Sequence, residues 1–267
     1  MERERLTITL RKDILKLVDQ SIDGARLRNR SHAIEYYLSQ QLSTKAAKVV
    51  LALTGGTSRT LYQAGSMQIG VKGNIAATPD VKNIFSYLAT QSFQEVFLAG
   101  ADQSVLQSAV ADAQKFGLNA KAVSINLDGR VGVDGNIDSL KDYIKDESFV
   151  FWDSRFGGEV RLSDLLDFHK SARAQATGAL LPASSVGATG MYAQLYGSKI
   201  TNVGTEDVLR TSGLSLAGVF VFESNIFGEI ASGKSLYREI LPRLAQEGKL
   251  AGFAFSLATV PAAAIRK

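Results

Sequence analysis

The sequence contains no cysteine and only two histidines among its 267 residues. Without cysteine, the chain can form no disulfide bond, thiol nucleophile or thiolate metal site. The histidines, His32 and His169, have neither the spacing of a metal site nor that of a catalytic triad. We therefore expect no metal site and no cofactor.

Long apolar runs are missing as well. No stretch of about 18 apolar residues could span a membrane. The N-terminus is charged from its second residue and lacks the apolar segment of a secretory signal. An apolar fraction of 45% and a charged fraction of 21% are ordinary for a soluble protein. We therefore expect a cytoplasmic protein of one or two domains with no membrane partner.

The net charge of +4 is small but unevenly placed. Residues 1–48 hold ten basic and six acidic side chains, so this segment carries the whole net charge. A local positive excess favours docking of a polyanion, and an ordinary solvated charged face is the alternative.

The first residues alternate between apolar and polar side chains. Leu6, Ile8 and Leu10 point one way along a strand, and arginines and threonines point the other way. A strand this short needs a partner, and the following residues read as helix. The simplest partner is the same strand of a second copy, which would give a two-stranded ribbon with a basic outer face.

Two helices follow this strand. Residues 12–22 form an amphipathic pattern that stops at Asp23-Gly24, and a basic loop covers residues 25–30. A second helix, capped by Asn29 or Ser31, runs to about residue 42. About 42 residues bury too little core as a monomer, so two copies are expected to intertwine.

Over residues 3–43 the sequence resembles the ribbon-helix-helix DNA-binding proteins of the MetJ and Arc type. The resemblance rests on R-L-T-I-T-L, on R-K-D at residues 11–13, and on R-N-R-S-H-A-I at residues 28–34. It implies that outward strand residues read bases and that the second helix N-terminus holds a phosphate. A module that only dimerises is the alternative. The implied DNA-binding residues are Arg5, Thr7, Thr9, Arg11, Arg28, Arg30, Ser31 and His32.

Strands and helices alternate in the rest of the chain. The buried-strand pattern of residues 49–53 runs into a turn containing Gly55-Gly56, the usual start of an α/β nucleotide-binding fold. The alternation predicts a sheet with helices on both sides. Helices are predicted at residues 81–88, 102–116, 137–145, 162–174 and 234–246, and further strands at 95–99, 120–125, 149–152, 176–181, 192–196, 216–222 and 252–257.

Residues 49–255 resemble the sugar-phosphate nucleotidyltransferases, which join a sugar phosphate to a nucleoside triphosphate. The motifs are T-P-D-V-K-N-I-F-S-Y-L at 78–88, D-L-L-D-F-H-K-S-A-R-A-Q-A-T at 164–177, A-G-V-F-V-F at 217–222 and I-L-P-R-L-A-Q-E-G-K-L-A-G-F-A-F at 240–255. The resemblance implies a three-layer α/β/α, Rossmann-like fold. The implied nucleotide-binding residues are Gly55, Gly56, Thr57, Ser58 and Arg59.

The residues aligned with the family's catalytic positions depart from its pattern. Thr60 stands where the phosphate-binding arginine is expected. Arg155 aligns with the metal-binding aspartate, and Asp153 is displaced from that position by two residues. The expected lysine falls near Ser66, and no acidic residue follows Phe255. Nucleotidyl transfer depends on positioning and on a metal that neutralises the triphosphate. From this alignment we expect no catalytic residues and a chain that is not an enzyme.

The sequence therefore predicts a ribbon-helix-helix domain at residues 1–44 and a nucleotidyltransferase-like domain at 49–267. The leading hypothesis is a homodimeric regulator of transcription that binds double-stranded DNA. Its second domain would serve higher oligomerisation or sense a nucleotide or sugar nucleotide. The alternatives are an active sugar-phosphate nucleotidyltransferase with an N-terminal dimerisation module, and an architectural or partition protein that coats DNA.

Overall fold

The computed structural model describes residues 7–24, 27–53, 81–91, 93–125, 140–144, 147–154, 160–183, 191–205, 213–230 and 234–255, with the side chains of 39–46 and 230 excepted. The chain forms two compact units, residues 1–43 and 44–267.

The first unit is built on α1 (Lys12–Gln20) and on the part of α2 (Arg30–Ala46) up to residue 43. Val18, Leu27 and Ala33 form a small buried cluster. Asn29 caps α2, because its side-chain oxygen accepts the backbone N–H of His32 at 2.9 Å. Of the two predicted caps, the structure therefore selects Asn29.

The strand predicted at residues 5–11 is not formed where the structure describes it. Thr7–Arg11 belong to no strand, α1 begins at Lys12, and Arg5 and Leu6 lie outside the described residues. A two-stranded ribbon takes its ladder hydrogen bonds from a second copy, and one chain cannot supply them. The ribbon-helix-helix arrangement is therefore not shown.

The second unit is organised around one large sheet. Its strands are β1 (Lys48–Ala52), β2 (Glu95–Gly100), β3 (Asn119–Ser124), β4 (Phe149–Asp153), β5 (Ala176–Pro182), β6 (Tyr192–Tyr196), β7 (Lys199–Gly204), β8 (Leu214–Phe222) and β9 (Leu250–Ala254). Among the described residues the strand order is β3-β2-β1-β4-β8-β5-β9-β7-β6, and β7 and β8 run opposite to the other strands.

Both faces of this sheet are covered. The central strands are apolar at nearly every position, and successive side chains enter two separate clusters, as Val49 and Val50 do. One cluster contains residues of α3 (Val81–Thr90), α4 (Gln103–Lys115) and α6 (Leu162–Ala172). The other contains residues of α5 (Lys141–Ile144) and of the helices at Ile226–Ile230 and Leu241–Gln246. The prediction of an α/β fold is confirmed.

Three elements of this unit differ in kind from the prediction, and the first is the short helix Ile226–Ile230, which was not predicted. Strand β7 is absent from the prediction, because its polar residues and short apolar pattern do not resemble a buried strand. The helix predicted at 234–246 consists of a π-helical turn, Leu236–Ile240, and the α-helix Leu241–Gln246. The Leu241 N–H bonds to the Leu236 carbonyl, five residues back, and Pro242, which has no amide hydrogen, follows. None of the described helices is long and apolar enough to cross a membrane.

Candidate functional site

The carboxyl ends of β1, β2, β3 and β4 meet at one edge of the sheet. Strand order reverses between β1 and β4, since β2 and β3 extend to one side of β1 and β4 lies on the other. Open α/β sheets bind ligands outside the carboxyl ends of their strands, at such a switch point. The region just beyond the carboxyl ends of β1 and β4 is therefore the candidate site.

Asp153 lies at this switch point. It is the last residue of β4, pairs in register with Ala52 at the end of β1, and is fully buried. The Tyr237 hydroxyl donates a hydrogen bond of 3.2 Å to Asp153 Oδ2. Beyond the strand ends, the Ser154 N–H bonds to the Ala52 carbonyl at 3.1 Å, which keeps β1 and β4 together at the edge.

The ends of β1 and β2 approach each other closely at Gly100. The Leu53 N–H donates to the Ala99 carbonyl at 2.7 Å. A Cβ at Gly100 would lie 2.9 Å from the Leu53 carbonyl oxygen, closer than a side chain tolerates. Glycine is therefore required for this approach of two backbones beside the switch point.

A second carboxylate near this edge serves a helix. Asp102 follows β2 and caps α4 by accepting the backbone N–H groups of Ser104 at 2.8 Å and Val105 at 3.2 Å. The Ser104 hydroxyl also donates to it at 2.6 Å. These hydrogen bonds, that of the Ser104 side chain first, lower the pKa of Asp102. Its carboxylate is thus already engaged in the fold.

The predicted nucleotide-binding residues Gly55, Gly56, Thr57, Ser58 and Arg59 lie outside the described residues. They follow Leu53, the last described residue after β1, in the sequence. Their assignment therefore stays a prediction.

The predicted base-reading residues lie on an exposed segment. Thr7, Thr9 and Arg11 are exposed, and Arg5 is outside the described residues. Arg11 Nη2 pairs with Asp13 Oδ2 at 2.9 Å. The hydrophobic residues between them are not enclosed either, since Ile8 is 46% exposed. Base reading by this segment stays a prediction.

The predicted phosphate-binding residues gather at the start of α2, but several of their N–H donors are occupied. Arg30 forks onto Asp19 with hydrogen bonds of 2.6 and 2.8 Å. The backbone N–H of His32 donates to Asn29. Arg28 and Ser31 are exposed beside them. A phosphate here would have to compete with Asp19 and Asn29, and its binding stays a prediction.

Two side-chain arrangements are missing from the sequence-based prediction. One is the Tyr237–Asp153 hydrogen bond at the switch point. The other is buried His169, whose Nδ1 lies 2.7 Å from Thr177 Oγ1 and whose Nε2 lies 3.0 Å from Glu223 Oε1. Thr177 is near the start of β5 and Glu223 follows β8, so this arrangement lies at the opposite edge of the sheet. Glu223 lies 54 residues from His169 and Tyr237 lies 84 residues from Asp153, so no local motif links either pair.

The described residues offer few side chains that could bind a metal ion. Within the described ranges, no cluster of three or more histidine, aspartate or glutamate side chains could hold a metal ion. Asp153 is the buried carboxylate at the switch point.

No protein-family model and no curated protein matches the chain. Solved structures do resemble it. HddC from Yersinia pseudotuberculosis matches at a TM-score of 0.56 and 15% identity, covering 79% of this chain and 90% of that protein. A Bacillus anthracis protein assigned as a glucose-1-phosphate thymidylyltransferase matches at 0.56 and 15%, with coverage of 79% and 87%. A UDP-glucose pyrophosphorylase matches at 0.56 and 11%, with coverage of 79% and 90%.

This comparison corrects one expectation. The conclusion that the chain is not an enzyme is contradicted, because the structures that share its fold include a thymidylyltransferase and a pyrophosphorylase. The conclusion depended on a linear alignment in which the family's metal-binding and phosphate-binding residues were missing or shifted, with Arg155 in the metal-binding position and Asp153 displaced from it. In three dimensions Asp153 ends β4 beside β1, at the switch point. Over 79% of its length, the chain has a nucleotidyltransferase-like α/β fold.

Proposed function

We propose that the second unit transfers a nucleotidyl group from a nucleoside triphosphate to a sugar phosphate. An oxygen of the sugar phosphate attacks the α-phosphorus, the bond to the β-phosphate breaks, and pyrophosphate leaves. The observation that carries this proposal is the buried carboxylate of Asp153 at the switch point between β1 and β4. A sheet shared with sugar nucleotidyltransferases supports it.

The expected role of Asp153 is electrostatic. Nucleotidyl transfer involves little covalent chemistry by protein groups, so positioning and charge neutralisation dominate. Mg²⁺ is bound in phosphate-transfer sites by one or two carboxylates together with substrate phosphates. Asp153 fits that donor set, and Mg²⁺ when bound neutralises triphosphate charge.

The glycine-containing segment after β1 is the proposed phosphate cradle. Glycines let backbone N–H groups approach phosphate oxygens, as in other α/β nucleotide-binding turns. Arg59 adds a cation one position before Thr60, where the family arginine is expected. Its guanidinium can donate two parallel hydrogen bonds to phosphate oxygens.

A pyrophosphate-release assay tests this proposal. The purified full chain is incubated with Mg²⁺, glucose 1-phosphate or mannose 1-phosphate, and each of ATP, CTP, GTP, UTP and dTTP. We expect release with at least one pair, and its loss in Asp153→Asn. The control is Asp164→Asn, which removes a carboxylate from the surface of α6, 3.9 Å from Arg161. No release and no triphosphate binding in the unsubstituted protein would refute the proposal.

A second proposal concerns the first unit, which we propose forms a homodimer that binds double-stranded DNA. The observation that favours dimerisation is the exposure of apolar residues on a unit with a small core: Ile8, Ile14, Leu17, Tyr37 and Leu38. Leu17 is 62% exposed and Leu38 is 52% exposed. The concentration of the net charge in residues 1–48 favours a polyanionic partner.

Light scattering and gel shift test the two parts separately. We expect a dimer in the full chain, weakened by Leu17→Glu because a buried charge disrupts an apolar interface. We expect salt-sensitive retardation of duplex DNA, reduced in a variant combining Thr7→Ala and Thr9→Ala. A monomer refutes the first part, and no retardation at low salt refutes the second.

A further inference from the structure

We infer that Tyr237 is a positioning residue, which holds the carboxylate of Asp153 in the orientation that the switch-point site requires. The inference rests on the proposed nucleotidyl transfer. Its basis is the 3.2 Å hydrogen bond from the Tyr237 hydroxyl to Asp153 Oδ2, between two side chains that are both buried. The contact joins residues 84 positions apart and brings the π-helical turn to the end of β4.

The Tyr237 ring is fixed by the sheet that carries Asp153. It packs edge-on against Phe220, with ring centroids 6.0 Å apart. Phe220 pairs in register with Phe151 across β4 and β8, and Phe151 lies two residues before Asp153 on the same face of the strand. The ring and the carboxylate are therefore held by one rigid surface.

The backbone of Tyr237 is fixed by the turn in which it lies. The Ser235 hydroxyl oxygen accepts the Arg238 N–H at 3.2 Å, and Glu239 Oε2 accepts the Ser235 N–H at 2.7 Å. These reciprocal hydrogen bonds resemble a capping box at the start of the turn, with the glutamate one position later than in the usual motif. The Leu241 N–H closes the π-helical turn on the Leu236 carbonyl. π-helical turns are rare in proteins, and those that occur often lie at functional sites.

The Tyr237 hydroxyl both stabilises and orients the Asp153 carboxylate. A carboxylate withdrawn from water is stable only with donors or a cation beside it. A donor held by a rigid ring also fixes the side-chain rotamer, and hydrogen-bonded carboxylates are better oriented ligands. Tyr237 thus acts on the reaction through Asp153 and needs no contact with substrate.

The test compares four proteins: the unsubstituted full chain, Tyr237→Phe, Asp153→Asn and the double variant. Electron paramagnetic resonance measures the binding of Mn²⁺ in the presence of each of ATP, CTP, GTP, UTP and dTTP. Tyr237→Phe keeps the ring and removes only the hydroxyl. We expect it to weaken Mn²⁺ binding about three- to tenfold, the factor given by one hydrogen bond of ordinary net strength. In the Asp153→Asn background the same change should have no further effect.

The matched control is Tyr87→Phe. The Tyr87 hydroxyl donates to the Val160 carbonyl, and its ring lies edge-on to Trp152, on the other face of β4. This variant should bind Mn²⁺ as the unsubstituted protein does. Urea unfolding of the four proteins measures the coupling between the two side chains without any ligand.

The outcomes separate the two proposals. Unchanged binding in Tyr237→Phe, an equal loss in the Asp153→Asn background, or no coupling in urea overturns the positioning role and leaves nucleotidyl transfer standing. No binding of Mn²⁺ and triphosphate by the unsubstituted protein overturns the proposed function, and the positioning role with it. Weakened binding that disappears with Asp153 and is absent from Tyr87→Phe supports the inference.

Discussion

Nε2 of His169 lies 3.0 Å from Oε1 of Glu223, in a pair where the imidazole is buried and the carboxylate side chain is 45% exposed. Since a carboxylate accepts, Nε2–H donates to Glu223, and in the neutral ring Nδ1 accepts the Thr177 hydroxyl at 2.7 Å. The contact ties α6 to the end of β8 and the start of β5.

This pair predicts pH-dependent stability. Burial lowers the pKa of His169 and outweighs the opposing effects of its hydrogen bond to Glu223 and of the Glu223 charge; the charge of Lys170 lowers the pKa further. The native state therefore binds this proton less readily than the unfolded state, whose pKa is near 6.5. The contribution of His169 to the free energy of unfolding is complete above pH 6.5. It is lost as the pH falls below 6.5, through the lowered pKa of the native state.

The measurement is urea unfolding at pH 7.5 and at pH 5.5. We expect a lower midpoint at pH 5.5, and a smaller difference between the two pH values in His169→Gln. Replacing the exposed His32 by glutamine is the control and should keep the original difference. An unchanged pH dependence in His169→Gln would contradict the prediction.

A side chain at Gly252 in β9 is predicted to destabilise the protein. An alanine Cβ there would lie 2.5 Å from Leu195 Cδ2, 2.8 Å from Leu180 Cδ1 and 2.9 Å from Ile200 Cγ1. Overpacking of this kind costs about 1–3 kcal/mol. Gly252→Ala should lower the free energy of unfolding by that amount, measured in urea. Gly228→Ala, where no atom lies within 4 Å of the new Cβ, should not destabilise the protein.

Gly100 is predicted to affect the candidate site as well as stability. Its Cβ would collide with the Leu53 carbonyl oxygen, which is backbone and cannot rotate away. Gly100→Ala should therefore move the ends of β1 and β2 apart beside the switch point. We expect weaker triphosphate binding by calorimetry, and a stability loss of about 1–3 kcal/mol. Binding and stability equal to those of Gly228→Ala would show that the edge tolerates the change.

Asn29 is predicted to stabilise the start of α2. Asn29→Ala removes the side-chain acceptor of the His32 N–H and should cost about 1 kcal/mol of helix stability. Hydrogen exchange at the His32 amide measures it, with exchange faster by about fivefold. Asn29→Ser keeps an acceptor and should preserve most of the protection. Exchange at the His32 amide in both variants equal to that in the unsubstituted protein would mean that the cap contributes little.

The sequence predicted the elements whose pattern is local. Continuous apolar runs identified β1, β4 and β8, because strands buried on both faces need an apolar residue at almost every position. Amphipathic spacing identified α4 and α6 in the same way. Strand β7 was not predicted, because its residues Lys199–Gly204 follow no such pattern and are held by hydrogen bonds to neighbouring strands.

The tertiary structure alone decided which distant residues meet. Strand order is set by packing of helices on both faces, so the switch point between β1 and β4 cannot be read from the sequence. The linear alignment placed Asp153 two residues from the family's metal-binding position, and only the folded sheet shows that it pairs with Ala52 at the end of β1. The contacts of Asp153 with Tyr237 and of His169 with Glu223 span 84 and 54 positions and have no local signature. Local composition fixed what each segment can form, and burial of both sheet faces fixed which side chains lie together.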